Sequence, residues 1–192
     1  MEKHYLFKSG VPFDRIAFED TLASMGVGDI VYFSPTEGEF IADSSLFAEL
    51  GSQLSLMRED LGTSFSFLIS HECTGLEKKL LEEAFSYFPN QALFPTDVIL
   101  REMSFGDYSS YPLIKEKFKK VPSDLMLTAG TYLRCGLDAQ LASKCLFVHR
   151  NTFLYRMNRF LEITGLDIRD YHNALYLELY FQLENGYFPN RN

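Results

Sequence analysis

The chain has 192 residues, 46% of them apolar and 15% aromatic, which is material for a packed core and excludes a disordered chain. Its formal charge of −8, taken whole, argues against a nucleic-acid binder, but the charge is uneven: residues 121–192 hold seven Lys/Arg and seven Asp/Glu, whereas residues 1–120 hold 11 and 19. Three cysteines without CxxC spacing exclude a disulfide framework or a zinc site.

Cys73, Cys135 and Cys145 read instead as reduced, mostly buried thiols. No run approaches the ~18 apolar residues of a membrane span. The N-terminal string MEKHYLFKSG lacks the apolar core of a signal peptide, so a cytoplasmic protein is expected. The 18 Phe and 11 Tyr with no Trp suggest aromatic cores.

In chain order, residues 13–25 mix charged and apolar groups at helical spacing, and glycines 26 and 28 end that helix. DIVYFS (29–34) is strand-like, Pro35-Thr36-Glu37-Gly38 reads as a turn, and 39–42 as a second short strand. Asp43 or Ser44 could cap a helix running to about residue 60. TSFSFLIS (63–70) has the alternation of a half-buried strand. A helix over 74–88 gathers Leu76, Leu80, Leu81, Ala84 and Phe85 on one half, and Pro89-Asn90 stops it. A short strand at 92–94 and a helix at 96–104 complete an α/β sandwich-like front part, residues 1–110, in the role of a sensor or oligomerisation domain.

A loop with Gly106, Ser109, Ser110 and Pro112 leads to a basic helix at 114–120, then a helix from Ser123 that Gly136 stops. From there the period is helical throughout: 139–145 capped by Asp138, 150–162, and 174–183 opened by Asp170 or Asn173. The expectation is α+β overall, with an all-α helix-turn-helix domain at 121–192 and the boundary near 106–121.

Within 139–145, Leu141, Ala142 and Cys145 are expected to face inward, with Ala139 and Ala142 small enough for another helix to cross closely; Phe147 and Val148 make an apolar link. At about 100° per residue, Phe153, Met157, Phe160, Leu161 and Thr164 of the next helix fall on one arc with Leu154 at its edge. Thr152, Tyr155, Asn158 and Arg159 fall opposite, and Arg156 on the rim. No acid lies between Asp138 and Glu162.

The first turn, His149, Arg150, Asn151 and Thr152, is where a recognition helix presents residues to base edges. Arg150 can take guanine through a bidentate pair and Asn151 adenine. Thr152, Tyr155 and Arg156 suit phosphate, and Lys144 and Arg159 complete the basic set. Each residue also has a plainer role: Asn151 as a helix cap, His149 as a turn residue, Tyr155 packed on the last helix, the arginines on a solvated face. The combination favours double-stranded DNA as partner, bound by a homodimer or higher oligomer because such helices act in pairs.

The run LASKCLFVHRNTFLYRMNRFLEITGLDIRDYHNALYLELYFQL resembles the C-terminal helix-turn-helix of PucR/CdaR-type bacterial transcriptional regulators. The resemblance rests on Leu141-Ala142, then Val148-His149-Arg150-Asn151-Thr152, Tyr155-Arg156, Thr164-Gly165-Leu166-Asp167 and Asp170, and covers about 125–184. Leu141 departs from the family pattern, standing where relatives often carry a Thr that would contact phosphate. The turn is also similar to the DNA-binding end of Fis-type proteins, where residues aligned with Arg150 and Thr152 face DNA. The resemblance implies a sequence-specific transcriptional regulator with its recognition helix near 149–162.

In relatives this domain follows a GGDEF-like region, and the strand-helix-strand order over 63–104 is loosely similar to part of one. No GGDEF signature is present, and Phe105-Gly106-Asp107-Tyr108 lacks the paired acids of a nucleotide cyclase. Among His4, His71, His149 and His172, only His71-Glu72-Cys73 forms a cluster with nucleophile chemistry, and no orienting partner is evident. The expectation is therefore no enzyme, no catalytic residue, no metal and no cofactor, with room for a small-molecule effector in the front part. The alternative is a ligand- or partner-binding module whose helix-turn-helix is only a scaffold.

Overall fold

The computed structural model describes residues 2–185, which divide into two compact units, one ending at Phe105 and one beginning at Gly106. The first is a sheet unit of five strands, β1 (Glu2–Ser9), β2 (Ile30–Tyr32), β3 (Glu37–Asp43), β4 (Phe65–Ser70) and β5 (Ala92–Leu93). Four helices belong to it: α1 (Arg15–Ser24), α2 (Leu46–Leu61), α3 (Gly75–Tyr87) and α4 (Pro95–Ser104). The second is helical: α5 (Tyr111–Phe118), α6 (Ser123–Arg134), α7 (Ala139–Cys145), α8 (Arg150–Thr164) and α9 (Tyr171–Glu184). The architecture is α+β, and among the described residues no helix is long and apolar enough to cross a membrane.

Strand order in the sheet is β2-β3-β1-β4-β5, antiparallel except for the β4–β5 pair. The central strand is β1, a segment that sequence patterning left unassigned. Its Lys3, His4 and Lys8 break the apolar run, and the folded chain shows what meets His4 and Lys8. Lys8 is met by Glu37 on β3 and, at 2.7 Å, by Glu82 on α3; His4 Nδ1 lies 3.0 Å from Glu39. With Lys8 and His4 met by these acids, β1 buries Tyr5, Leu6 and Phe7 completely.

Alternation along the strands decides the two faces. Tyr5, Phe7, Phe40, Phe65, Phe67 and Ile69 join Phe18 and Leu22 of α1 and Leu50, Leu54 and Met57 of α2 in one core. The rings interlock, with Phe7–Phe18 centroids 4.9 Å apart and Phe18–Phe65 stacked at 5.0 Å. The Lys8–Glu82 pair marks α3 as the cover of the other face, where Leu6 and Leu68 are buried. A five-stranded sheet with helices on both sides is the sandwich of the front part.

β3 starts at Glu37, earlier than the turn expected at 35–38, because Gly38 is inside the strand. A Cβ there would stand 2.4 Å from the Val31 carbonyl oxygen and 2.6 Å from the Phe7 ring, so glycine is what lets Phe7 lie across it. The helices begin on identifiable caps. The Asp14 carboxylate accepts from the Ile16 N–H at 3.0 Å, and Thr74 and Glu77 form a capping box on α3. α2, in contrast, starts after Ser45 without a side-chain cap, as do α4, α5 and α6, and Asp43 accepts from the Ser45 N–H at 2.9 Å.

The helical unit has its own aromatic core. Phe118 stacks on Phe160 (6.4 Å) and lies 4.4 Å from Tyr180, while Tyr132 meets Phe153 at 5.6 Å. Gly130 on α6 brings the Phe181 ring within 3.1 Å of where a Cβ would stand, so α6 and α9 approach closely. α9 starts at Tyr171, with the Asp170 carboxylate accepting from the His172 and Asn173 N–H groups.

Candidate nucleic-acid interface

α6 ends in a tight reversal in which Gly136 (φ 65°) and Leu137 (φ 62°) are both left-handed. The Gly136 N–H donates to the Leu133 carbonyl and the Leu137 N–H to the Tyr132 carbonyl, satisfying the last turn. Asp138 then caps α7, its carboxylate accepting from the Gln140 and Leu141 N–H groups at 2.8 and 2.9 Å.

On α7 the buried positions are Ala142 and Ser143, and the Ser143 hydroxyl donates to the Ala139 carbonyl at 2.6 Å. Leu141 is 47% exposed and Cys145 is exposed, against the expectation that both face inward. A seven-residue helix offers its neighbours one narrow stripe, and here the stripe falls on the two small residues. The thiols as a group are less buried than expected, Cys73 and Cys135 being half-buried.

The link from α7 to α8 is a Schellman turn without glycine. The Phe147 N–H donates to the Lys144 carbonyl and the Val148 N–H to the Ser143 carbonyl, both at 3.1 Å. Phe147 occupies the left-handed position (φ 54°) that glycine normally takes, and its side chain is 96% exposed. The link is apolar in composition, yet its ring packs into no core.

α8 starts at Arg150, and its cap is His149, whose Nδ1 accepts from the Asn151 N–H at 3.2 Å. The cap therefore does not fall on Asn151. An accepting Nδ1 places the ring proton on Nε2, which makes the exposed edge of His149 a donor. Phe153, Phe160 and Thr164 are buried, Met157 and Leu161 half-buried, and Leu154 exposed at the edge. Arg150, Asn151, Thr152, Tyr155, Asn158 and Arg159 are exposed, and Tyr155, at 68%, does not pack on α9.

The basic residues separate by what already holds them. Arg156 is half-buried with its Nε 3.4 Å from Asp124 of α6, and Arg159 donates to Glu162 at 2.7 Å. Glu162 raises the pKa of the Arg159 guanidinium, which stays charged either way. Lys144, Arg150 and Thr152 have no side-chain hydrogen bond or ion pair among the described residues. All eight predicted residues, including Lys144 on α7, thus lie on one continuous segment, but only part of that set presents uncommitted groups.

The His71-Glu72-Cys73 cluster has no such readiness. His71 and Glu72 stand 3.8 Å apart, and burial, followed by the hydrogen bond to Glu39, pushes the Cys73 thiol up to about 12. A thiol held protonated in this way is not a nucleophile at neutral pH.

Residues 125–183 match the family model described as the PucR C-terminal helix-turn-helix domain. The chain is 31% identical over 111 residues, 56% of its length, to the Carbohydrate diacid regulator of Escherichia coli (strain K12), covering 28% of that protein. It is 33% identical over 69 residues, 35% of its length, to the Proline-responsive transcriptional activator PutR of Bacillus subtilis (strain 168), covering 17% of it. A solved structure, the Regulator of Polyketide Synthase Expression from Bifidobacterium adolescentis, aligns with 96% of this chain and 81% of that one at 20% identity and a TM-score of 0.49. The chain thus spans less than a third of the length of the two curated relatives.

Proposed function

We propose, from the premise that residues 125–183 are a PucR C-terminal helix-turn-helix domain, that this protein is a transcriptional regulator which binds double-stranded DNA sequence-specifically through the first turn of α8. The observation that carries the reading is the state of that turn: Arg150, Asn151 and Thr152 are exposed at a helix N-terminus, and Arg150 and Thr152 have no side-chain partner among the described residues. Leaving a guanidinium unpaired costs little in water and keeps its bidentate fork free for a guanine edge. Asn151, released from capping by His149, is free to take adenine.

The remaining residues position the helix. Thr152, Tyr155 and Lys144 are suited to phosphate, and the helix N-terminus adds its own favourable field. Arg156 and Arg159 must exchange Asp124 and Glu162 for phosphate, so their net contribution is smaller than that of a free cation. One short basic helix holds DNA weakly, and a homodimer with half-sites about one turn (~34 Å) apart supplies the rest. The sheet unit then serves as the sensor or oligomerisation part.

Selection of bound DNA from a random pool, followed by gel shifts at several salt concentrations, tests this reading. Arg150→Ala is expected to weaken the selected site by about 10- to 100-fold (~1–3 kcal/mol) while leaving non-specific binding nearly unchanged. Arg159→Ala is expected to lower the salt slope by at most about 1. Wild-type behaviour in both variants would remove α8 from the interface. No DNA affinity even at low salt, with a ligand-induced rise in melting temperature, would favour a scaffold that binds something else.

A further inference from the structure

The Sγ atoms of Cys135 and Cys145 lie 3.8 Å apart, one at the C-terminal cap of α6 and the other at the last residue of α7. Ten positions separate them in the chain, and the reversal through Gly136 and Leu137 brings them together. A disulfide needs about 2.05 Å between sulfurs. Closing the remaining gap falls to side-chain rotation at Cys145, which is exposed. We propose that Cys135 and Cys145 form a reversible dithiol–disulfide site, oxidised by low-molecular-weight disulfides, that braces α7 against the end of α6.

The chemistry balances in two exchanges. The exposed Cys145, as thiolate, attacks one sulfur of the small disulfide; the S–S bond breaks, one small thiol leaves and takes a proton, and a mixed disulfide remains on Cys145. Cys135 then gives up its proton and attacks the Cys145 sulfur, expelling the second small thiol. The protein loses two electrons and two protons, and one small disulfide becomes two thiols. Partial burial and the hydrogen bond to Cys145 push the Cys135 thiol up, which suits it to the resolving step rather than to the first attack. Arg134 and Lys144, adjacent in sequence to the two cysteines, favour approach of an anionic disulfide such as oxidised glutathione.

The closed loop would contain the whole of α7, so the bridge constrains the helix that hands the chain to the Phe147 turn and α8. This inference is independent of the DNA-binding reading, because its readout is covalent.

The test is incubation of the full chain with oxidised glutathione, alkylation of the remaining thiols, and intact-mass and peptide mapping. The expected product has lost two hydrogens, carries a Cys135–Cys145 bridge and keeps only Cys73 alkylatable of the three thiols. Its helical unit should melt about 10 °C higher, reversed by reductant. Cys145→Ser, at an exposed position, should abolish the bridge, and Cys135→Ser should stop the reaction at a glutathione adduct on Cys145. A persistent adduct on the wild-type Cys145, a bridge between two chains, or three unreacted thiols would each overturn the proposal.

Discussion

The sheet unit and the turn from α7 into α8 treat positive charge differently. In the sheet unit Lys8 is shared by Glu37 and Glu82, Lys79 by Glu83 and the buried Glu102, and Arg15 and Arg101 lie over the rings of Tyr32 and Phe105. Further along α8, Arg156 and Arg159 are paired with Asp124 and Glu162, but around the turn Lys144 and Arg150 are left to solvent, and an aromatic ring, Phe147, is left with them. Paired cations there hold elements together, and they reveal how the unit folds. Unpaired cations beside a capped helix start contribute almost nothing to folding, and so they speak to what the segment meets.

The largest effect that could break this contrast is in the core. Phe7 is fully buried and touches Phe13, Phe18, Tyr32 and Phe67, so Phe7→Ala is expected to cost about 3–5 kcal/mol of sheet-unit stability. Denaturant unfolding followed by circular dichroism should show the sheet transition falling while the helical one stays in place. A single transition that falls as a whole would mean that the two units are one cooperative block, and the contrast would then be one of surface only.

How much of this was legible in the sequence depended on whether the deciding partner was near in the chain. The helices α3 and α8 were readable because their apolar stripes recur within each helix, and Asp138 and Asp170 were readable as caps because a cap acts over two or three residues. β1 was not, since Lys8 is acceptable in a central strand only through Glu37 and Glu82, which lie 29 and 74 residues away. Gly38 looked like a turn residue because the Phe7 ring that requires it sits on another strand. At the candidate interface the sequence located the segment and its outward residues. It placed Arg156 on the rim but could not show that it is already paired, because its partner Asp124 comes from α6. It put the helix start at Arg150 yet read His149 as a turn residue and Asn151 as the cap, because His is the weaker cap former.

The cap itself is the next test in size. His149→Ala removes the acceptor for the Asn151 N–H and is expected to destabilise the helical unit by about 1 kcal/mol, whereas His149→Asp, a good cap, should restore most of it. The pair separates structure from contact. If His149→Asp recovers thermal stability but still weakens DNA binding, the Nε2 donor edge is part of the interface. If it recovers both, the side chain only starts the helix.

The smallest expected change concerns Phe147, and it has the opposite sign. A residue with a Cβ in the left-handed region is strained by about 1 kcal/mol, and a ring 96% exposed recovers none of that through burial. Phe147→Gly should therefore stabilise the helical unit, by up to roughly 0.5 kcal/mol once the greater freedom of glycine in the unfolded chain is subtracted. Thermal melting measures this directly, and a loss of stability would mean that the ring has a packing role its exposure conceals. The DNA assay on the same variant then sharpens the comparison. Higher stability with weaker binding would make Phe147 a contact, with an apolar ring set beside Arg150 to meet an apolar base edge such as a thymine methyl. Higher stability with unchanged binding would confine recognition to the first turn of α8, and the strain at Phe147 would have no counterpart in function.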